Sequence, residues 1–260
     1  RKMYEANGQH FQDPRAPRFL FFDKEGKVAL GIGGYVKGTM SVDMDGISDN
    51  LDFVTYDIPA PMQTDMRNQF QMDASTSRIF LKLVGADTQL GDFTVYLESD
   101  FRGKNGHQYD LRLRQAFIQF GGWKIGRAKT TFSDGAASPP TIDFEGPSGS
   151  VSTKNTMIQY SHQFGKHWST ALAIEAPSAS YTTDKNLSES IKQRVPDIPS
   201  YVQYAWDGGK SHIRWSNLFR FLSYRNLVEG KNKLTFCMAT QLSGMITFSP
   251  HWKLYYQGAY

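Results

Sequence analysis

Leu111-Arg112-Leu113-Arg114-Gln115-Ala116-Phe117, then Gly121-Gly122, then Trp123-Lys124-Ile125-Gly126-Arg127-Ala128-Lys129-Thr130-Thr131: this stretch decides how the chain folds. Both runs alternate with the period of two that marks a β-strand whose faces meet different surroundings. Two consecutive glycines supply the positive φ angles of a tight hairpin turn. Successive side chains along a strand point to opposite faces. Arg112, Arg114, Arg127 and Lys129 are therefore expected on one face of the hairpin, with Leu111, Leu113 and Phe117 on the other. A face dense in Arg and Lys cannot be a dry core, because unpaired buried charge is too costly. It must meet water, and its apolar reverse must meet either a second sheet or lipid.

Working outward, the same rhythm predicts a short strand at Phe19–Phe22 and then about eleven longer ones. These cover 28–42, 76–86, 93–101, the two strands of the hairpin, 155–163, 167–175, 201–207, 211–224, 233–248 and 252 to the end. Residues 1–26 read as a lead-in segment and 27–260 as one β-barrel. The predicted connections alternate in length. Long or medium ones follow the odd strands, among them 43–75, 133–152 and the loop carrying Pro177, Pro196 and Pro199, and short ones follow the even strands. Strands of about nine residues, short turns at one rim and long loops at the other are the signature of an antiparallel up-and-down transmembrane barrel. Trp123, Trp168, Trp206, Trp252 and Phe164 all lie beside short turns, as an aromatic belt at a membrane interface would.

Composition agrees with this class and removes others. Aromatic residues make up 14% of 260 residues and charged residues 21%. No apolar run approaches the ~18 residues of a membrane-spanning helix, which does not bear on a barrel that alternates polar with apolar. A net charge of +4 is too mild to point to nucleic acid. The lone Cys237 cannot form a disulfide within the chain or a multi-cysteine metal site.

Reaction chemistry finds no footing. The six histidines are scattered without ligand spacing, so no metal is expected. Gly146-Pro147-Ser148-Gly149-Ser150 does not match the nucleophile-elbow pattern, and Gly31-Ile32-Gly33-Gly34 runs into a strand rather than a helix. Glu98 and Asp100 could serve as an acid–base pair, but wall residues balancing arginine is the better reading. No catalytic residue and no cofactor are expected.

Carried along all strands, the alternation collects Arg78, Lys82, Arg112, Arg114, Arg127, Lys129, Arg214 and Arg220 on the polar face, with fewer acids, Glu98, Asp100, Glu175 and Asp207 among them. Inside a barrel this excess makes a positive lumen that favours anions. The loop 133–152 is long and rich in small residues, and loops of that length usually have a task. It is expected to fold inward as a constriction, with Asp134, Asp143 and Glu145 setting negative charge opposite the basic wall.

The block from Leu111 to Ile118, with Gly121-Gly122-Trp123-Lys124-Ile125-Gly126-Arg127 and Thr131-Phe132-Ser133-Asp134, resembles a conserved block of the DcaP-like porins and their phosphate-selective relatives. Arg18-Phe19-Leu20-Phe21-Phe22-Asp23, leading into Gly31-Ile32-Gly33-Gly34-Tyr35, is similar to the start of such a barrel. The resemblance implies a homotrimeric porin of the Gram-negative outer membrane with about sixteen strands. It further implies an inward-folded third long loop and a preference for small anionic solutes such as dicarboxylates. Outer-membrane lipid and those solutes are then the partners, and nucleic acid is not. Gln115 stands where the family has His, and Arg127-Ala128-Lys129 where it has Gln-Thr-Trp, which adds positive charge. With about eleven strands against about sixteen, the sequence is expected to stop short of the barrel's last strands. Two readings of other classes stand beside the channel: a barrel carrying an enzyme or adhesin in its loops, and a soluble β-sheet binding protein.

Overall fold

The structure, a computed structural model, describes residues 19–44, 52, 54–55, 58–60, 67–89, 91–103, 109–141, 146–147, 149–179, 181 and 184–260. It is all-β and antiparallel, apart from short 3-10 turns. The chain forms two compact units: Arg1–Gly121 with Ser138–Ser150, and Gly122–Ala137 with Val151–Tyr260. Among the described residues no helix is long and apolar enough to cross a membrane.

In the first unit the strands are β1 (Phe19–Phe22), β2 (Val28–Tyr35), β3 (Thr39–Asp43), β4 (Gln69–Asp73), β5 (Arg78–Gly85), β6 (Phe93–Asp100) and β7 (Arg112–Phe120). β1, β2, β5, β6 and β7 pair in that order, each antiparallel to the next. The expected long first strand breaks after Tyr35. Its far part becomes β3, which pairs only with β4 as a separate ribbon. At the break the Lys37 amide leaves the ladder and donates to Ser77 Oγ at 3.0 Å.

In the second unit the strands are β8 (Trp123–Lys129), β9 (Lys154–Phe164), β10 (Trp168–Glu175), β11 (Ser188–Ser190), β12 (Ile198–Trp206), β13 (Ser211–Asn226), β14 (Lys231–Thr247) and β15 (Lys253–Ala259). All but β11 pair with their neighbours in chain order. β11 attaches instead to the far end of β13, at Tyr224–Asn226. The expected loop at 225–231 shortens to a four-residue turn, 227–230. β13 and β14 stay in register out to Asn226 and Lys231, and the turn between them contains Gly230 at φ 65°.

Turns form where the sequence permits left-handed backbone. Gly121 and Gly122 take φ of 50° and 87°, the two positive values a two-residue hairpin turn requires. Glycine serves a second purpose at Gly33, where an added Cβ would stand 2.4 Å from the Phe80 ring. The bare backbone there makes room for the aromatic ring of the next strand.

The faces are inverted relative to a soluble sheet. Leu172 and Ile174 are 57% exposed and Trp215 56%, whereas Glu98, Asp100 and Glu175 are 1% exposed and Gln241, Ser216 and Ser243 fully buried. Most of the buried side chains in each unit are polar or charged, while many large aliphatic and aromatic ones are exposed. The short-turn ends of the second unit carry linked aromatics: Trp123 with Tyr160, and Trp168 with Tyr204, which also stacks on Trp206.

Candidate functional site: the charged face and the loop laid on it

In the first unit the polar face is built by β5, β6 and β7. Register brings Arg78 opposite Asp100 and Lys82 opposite Tyr96, with Phe80 opposite Glu98 between them. On the other side, Glu98 meets Gln115 and Asp100 meets Arg112. One residue is extra here. Ser99 pairs with Leu113 and Glu98 with Gln115, so Arg114 is bulged out of the ladder. Alternation already sets Arg112 and Arg114 beside the acids, and the bulge adds Gln115 to the same face. The bulge also reverses the parity beyond it, so that Phe117 packs inward against Tyr96 at 5.6 Å between ring centroids while Ile118 is exposed. Phe117, expected beside Leu113, thus lies on the opposite face, because strict alternation cannot foresee an inserted residue.

These charges are matched one to another. Arg112 forks onto Asp100, with Nε 2.8 Å from Oδ1 and Nη2 2.6 Å from Oδ2. Arg114 Nη1 donates to the same Oδ2 at 2.6 Å, and its Nε lies 3.4 Å from Glu98 Oε1. Arg78 Nη1 is 2.9 Å from Glu98 Oε1, with both side chains buried. Tyr96 and Gln115 complete Glu98, donating to Oε2 at 2.9 and 3.0 Å. Charge-assisted bonds of this kind are what allow ionised groups to sit away from bulk water.

The second unit uses the chain just after β8. Thr130 Oγ1 and the Thr131 amide donate to buried Glu175 at 2.6 and 2.7 Å, and Asn155 Nδ2 adds a third bond at 3.0 Å. Gln159 then donates to Thr131 Oγ1 at 3.0 Å. Three residues on, Asp134 reaches β13 and β14. His212 Nε2 lies 2.7 Å from Asp134 Oδ2, and Ser243 Oγ donates to the same oxygen at 2.9 Å. Arg214 approaches at 3.9 Å, donates to Gln203 Oε1 and to the Ser133 carbonyl, and lies 4.0 Å over the Tyr201 ring. The turn Gly135–Ala137 follows. Burial alone would raise the Asp134 pKa. The His212 bond, the Arg214 charge and the Ser243 bond outweigh it and hold the carboxyl well below the usual carboxylate range. The start of this loop is therefore fastened down at two points.

The remaining sequence-predicted residues fall as follows. Arg220 forks onto Asp197, at 2.9 and 2.5 Å. Lys82 is buried on the polar row of β5. Arg127 pairs with exposed Thr156 and so shares a row with Ile125 and Ile158, while Lys124, opposite buried Gln159, takes the inward position. Arg127, expected on the polar face with Arg112 and Arg114, thus lies in the opposite row, because within β8 it has the parity of Trp123 and Ile125. Lys129 pairs with Lys154 at the strand end, its side chain alongside Gly135. Asp134 is bound up in the anchor rather than presenting free negative charge, because His212, Ser243 and the Ala136 amide bond to it and the Arg214 charge lies near. Asp143 and Glu145 lie outside the described residues. His212, Ser243 and Asp197 are partners that sequence reasoning did not assign, and Glu175 was placed on the polar face without its partners, since only pairing between distant strands brings them together. Among the described residues no cluster of His, Cys, Asp and Glu could hold a metal.

Comparison with known proteins adds the lineage. A family model described as a porin subfamily matches residues 26–260. A comparison with curated proteins finds no match. Among solved structures, the outer membrane channel DcaP of Acinetobacter baumannii aligns with a TM-score of 0.76 at 17% identity, over 92% of this chain and 65% of that one. The chain thus spans a little under two thirds of that channel's length. A loop-L8 deletion form of OmpT, an outer membrane protein of Vibrio cholerae, aligns at 11% identity with a TM-score of 0.41, over 89% of this chain and 80% of that one. With up-and-down strands, apolar side chains outward, buried charge inward and a family match over nearly its whole length, the chain belongs to the porin subfamily, a family of the Gram-negative outer membrane.

Proposed function

We propose that this protein is a passive diffusion channel for small hydrophilic solutes. It favours anions such as dicarboxylates, acts as a homotrimer, and uses no cofactor and no catalytic step. One observation carries the reading: aliphatic and aromatic side chains are exposed on the strands while Arg, Glu, Asp, Gln and Ser are buried. Such a sheet is stable where hydrocarbon covers the apolar rows and water or paired charge occupies the polar ones.

The anion preference draws on charge balance. On β5, β6 and β7 four cations, Arg78, Lys82, Arg112 and Arg114, share the polar face with two carboxylates, Glu98 and Asp100. In the second unit Arg214, Arg220 and Lys124 share the face with Asp134, Asp197 and Glu175, so the excess comes from the first unit. Arginines already bonded to carboxylates attract solute less than bare ones, so the expected preference is mild. The anchored stretch 130–137 supports a constriction role for the loop it opens.

Planar-bilayer recording of the full-length protein in a salt gradient tests the reading. The reversal potential should carry the anion sign and move toward zero in an Arg112→Ala, Arg114→Ala double variant. A cation-selective potential would overturn the charge argument, and correctly inserted protein without conductance would overturn the channel.

A further inference from the structure

The β13–β14 ribbon is the longest in the structure, and its exposed face changes character near the far end. On β14 that face carries Leu234, Phe236, Met238, Leu242 and Ile246, with Phe219 and Trp215 beside them on β13. At about 3.3 Å per residue and a tilt near 45°, the stripe from Leu234 to Ile246 rises roughly 28 Å along the membrane normal, close to the ~25 Å apolar band of such barrels. The next outward pair is Arg225 and Asn232, opposite each other in register. They therefore stand just past the hydrocarbon, at headgroup level. This is also the end away from the short, Trp-flanked turns, and in this architecture that end faces the outer leaflet.

The connection between β10 and β12 is held against the same end. Gln193 brackets Ser223, accepting from its amide at 2.8 Å and donating to its carbonyl at 3.1 Å, and the Tyr181 hydroxyl donates to that carbonyl at 2.8 Å. β11 pairs with Tyr224–Asn226 alongside. A cavity of about 470 Å³ results, lined by Lys192, Gln193, Arg194, Arg225, Asn232 and one carboxylate, Glu189. Lys192, Arg194 and Arg225 are exposed, and none of the three makes an ion pair among the described residues. This contrasts with the arginines of the polar face, nearly all of which hold a carboxylate.

We propose that this pocket binds the phosphate of an anionic lipid headgroup in the surrounding leaflet. Arg194 and Arg225 offer planar forks and Lys192 a point charge, the combination that suits a phosphate with several acceptor oxygens. Clusters of cations at the membrane surface draw acidic headgroups additively. The apolar stripe below distinguishes a lipid from a free anion. A lipid whose phosphate sits between Arg225 and Lys192 can lay its acyl chains along Leu234, Phe236 and Met238, contact that inorganic phosphate lacks. The inference is independent of which solutes cross the channel.

The test is native mass spectrometry of the full-length protein released from detergent with phosphatidic acid or with phosphatidylcholine of the same acyl chains. Phosphatidic acid should be retained with a preference on the order of tenfold or more. That preference should vanish in a Lys192→Gln, Arg194→Gln, Arg225→Gln triple variant, whose conductance in neutral bilayers stays unchanged. Millimolar inorganic phosphate should not displace the lipid. Equal retention of the two lipids by the unmodified protein would overturn the proposal whether or not the triple variant assembles. A preference surviving in the triple variant would overturn it as well. Displacement by inorganic phosphate would make the pocket a free-anion site and refute the lipid assignment.

Discussion

At Asp100 one buried carboxylate accepts from two arginines, Arg112 through a two-pronged fork and Arg114 through its end nitrogen. Removing one partner of such a cluster is worse than removing all of it, because the remaining charges stay where water reaches them poorly. Asp100→Ala is expected to lower stability by about 3 kcal/mol, the low end for a broken buried pair, since half-exposed Arg112 can rehydrate. Urea unfolding of the detergent-folded protein measures this, and the same variant should shift the reversal potential further toward anions. An unchanged unfolding midpoint would mean the cluster contributes no stability. Gly33 makes a steric case of the same scale. Gly33→Ala would press a methyl into the Phe80 ring and cost about 1–3 kcal/mol. A Gly33→Ala, Phe80→Leu double variant should recover part of that loss, a coupling that a double-mutant cycle reads directly.

The stretch after β8 behaves as an element in its own right. It leaves the ladder at Thr130, binds Glu175 at once, and is caught again by His212 and Ser243 through Asp134. Asp134→Ala should release the second catch. Amide hydrogen exchange at Phe132–Ala137 is then expected to speed up by tenfold or more, given the order of 2 kcal/mol a buried, charge-assisted bond contributes. Exchange at Thr131, held by Glu175, should change less. The sign of the acid response follows from the lowered Asp134 pKa. A carboxyl that is more acidic folded than unfolded stabilises fully above the unfolded value, near 4, and loses that stabilisation only as pH falls through its folded value. The contribution from Asp134 should accordingly persist at pH 5. Protonation of this carboxyl should release the turn only in much stronger acid. Faster exchange confined to this turn between pH 7 and pH 5, with Asp134 shown by NMR to take up a proton, would contradict the assignment.

For the whole molecule the decisive property is which way the apolar residues look. Leu172, at the middle of β10, is 57% exposed, a position where a soluble protein tolerates arginine. In a barrel wall facing lipid, Leu172→Arg should cost about 2–4 kcal/mol. Unfolding in lipid vesicles against unfolding in short-chain detergent separates the two cases, because detergent lets the guanidinium reach water. Ala171→Arg, on the buried face of the same strand, should be the worse change in both media, since that position is 2% exposed and closely packed. Equal tolerance of Leu172→Arg in vesicles and in detergent would remove the lipid-facing assignment.

The strand pattern was legible in the residues themselves. Alternation located every long strand of the main sheet and also Phe19–Phe22, because side-chain period depends only on local backbone geometry. It went astray at Arg127, which has the parity of Ile125, and where the ladder is irregular. The bulge at Arg114 turned Phe117 inward, and the break after Tyr35 put Thr39–Asp43 into a ribbon with β4. Nor could it find the pairing of charges. Arg220 with Asp197, Asp134 with His212 and Ser243, and Glu175 with Thr131 join residues between 23 and 109 positions apart. Sequence by itself thus determined that these strands have a greasy side and a wet one. Only tertiary structure decided which acid quiets which arginine, and that the loop after β8 is tied down, because hydrogen bonds depend on distances that register between remote strands sets.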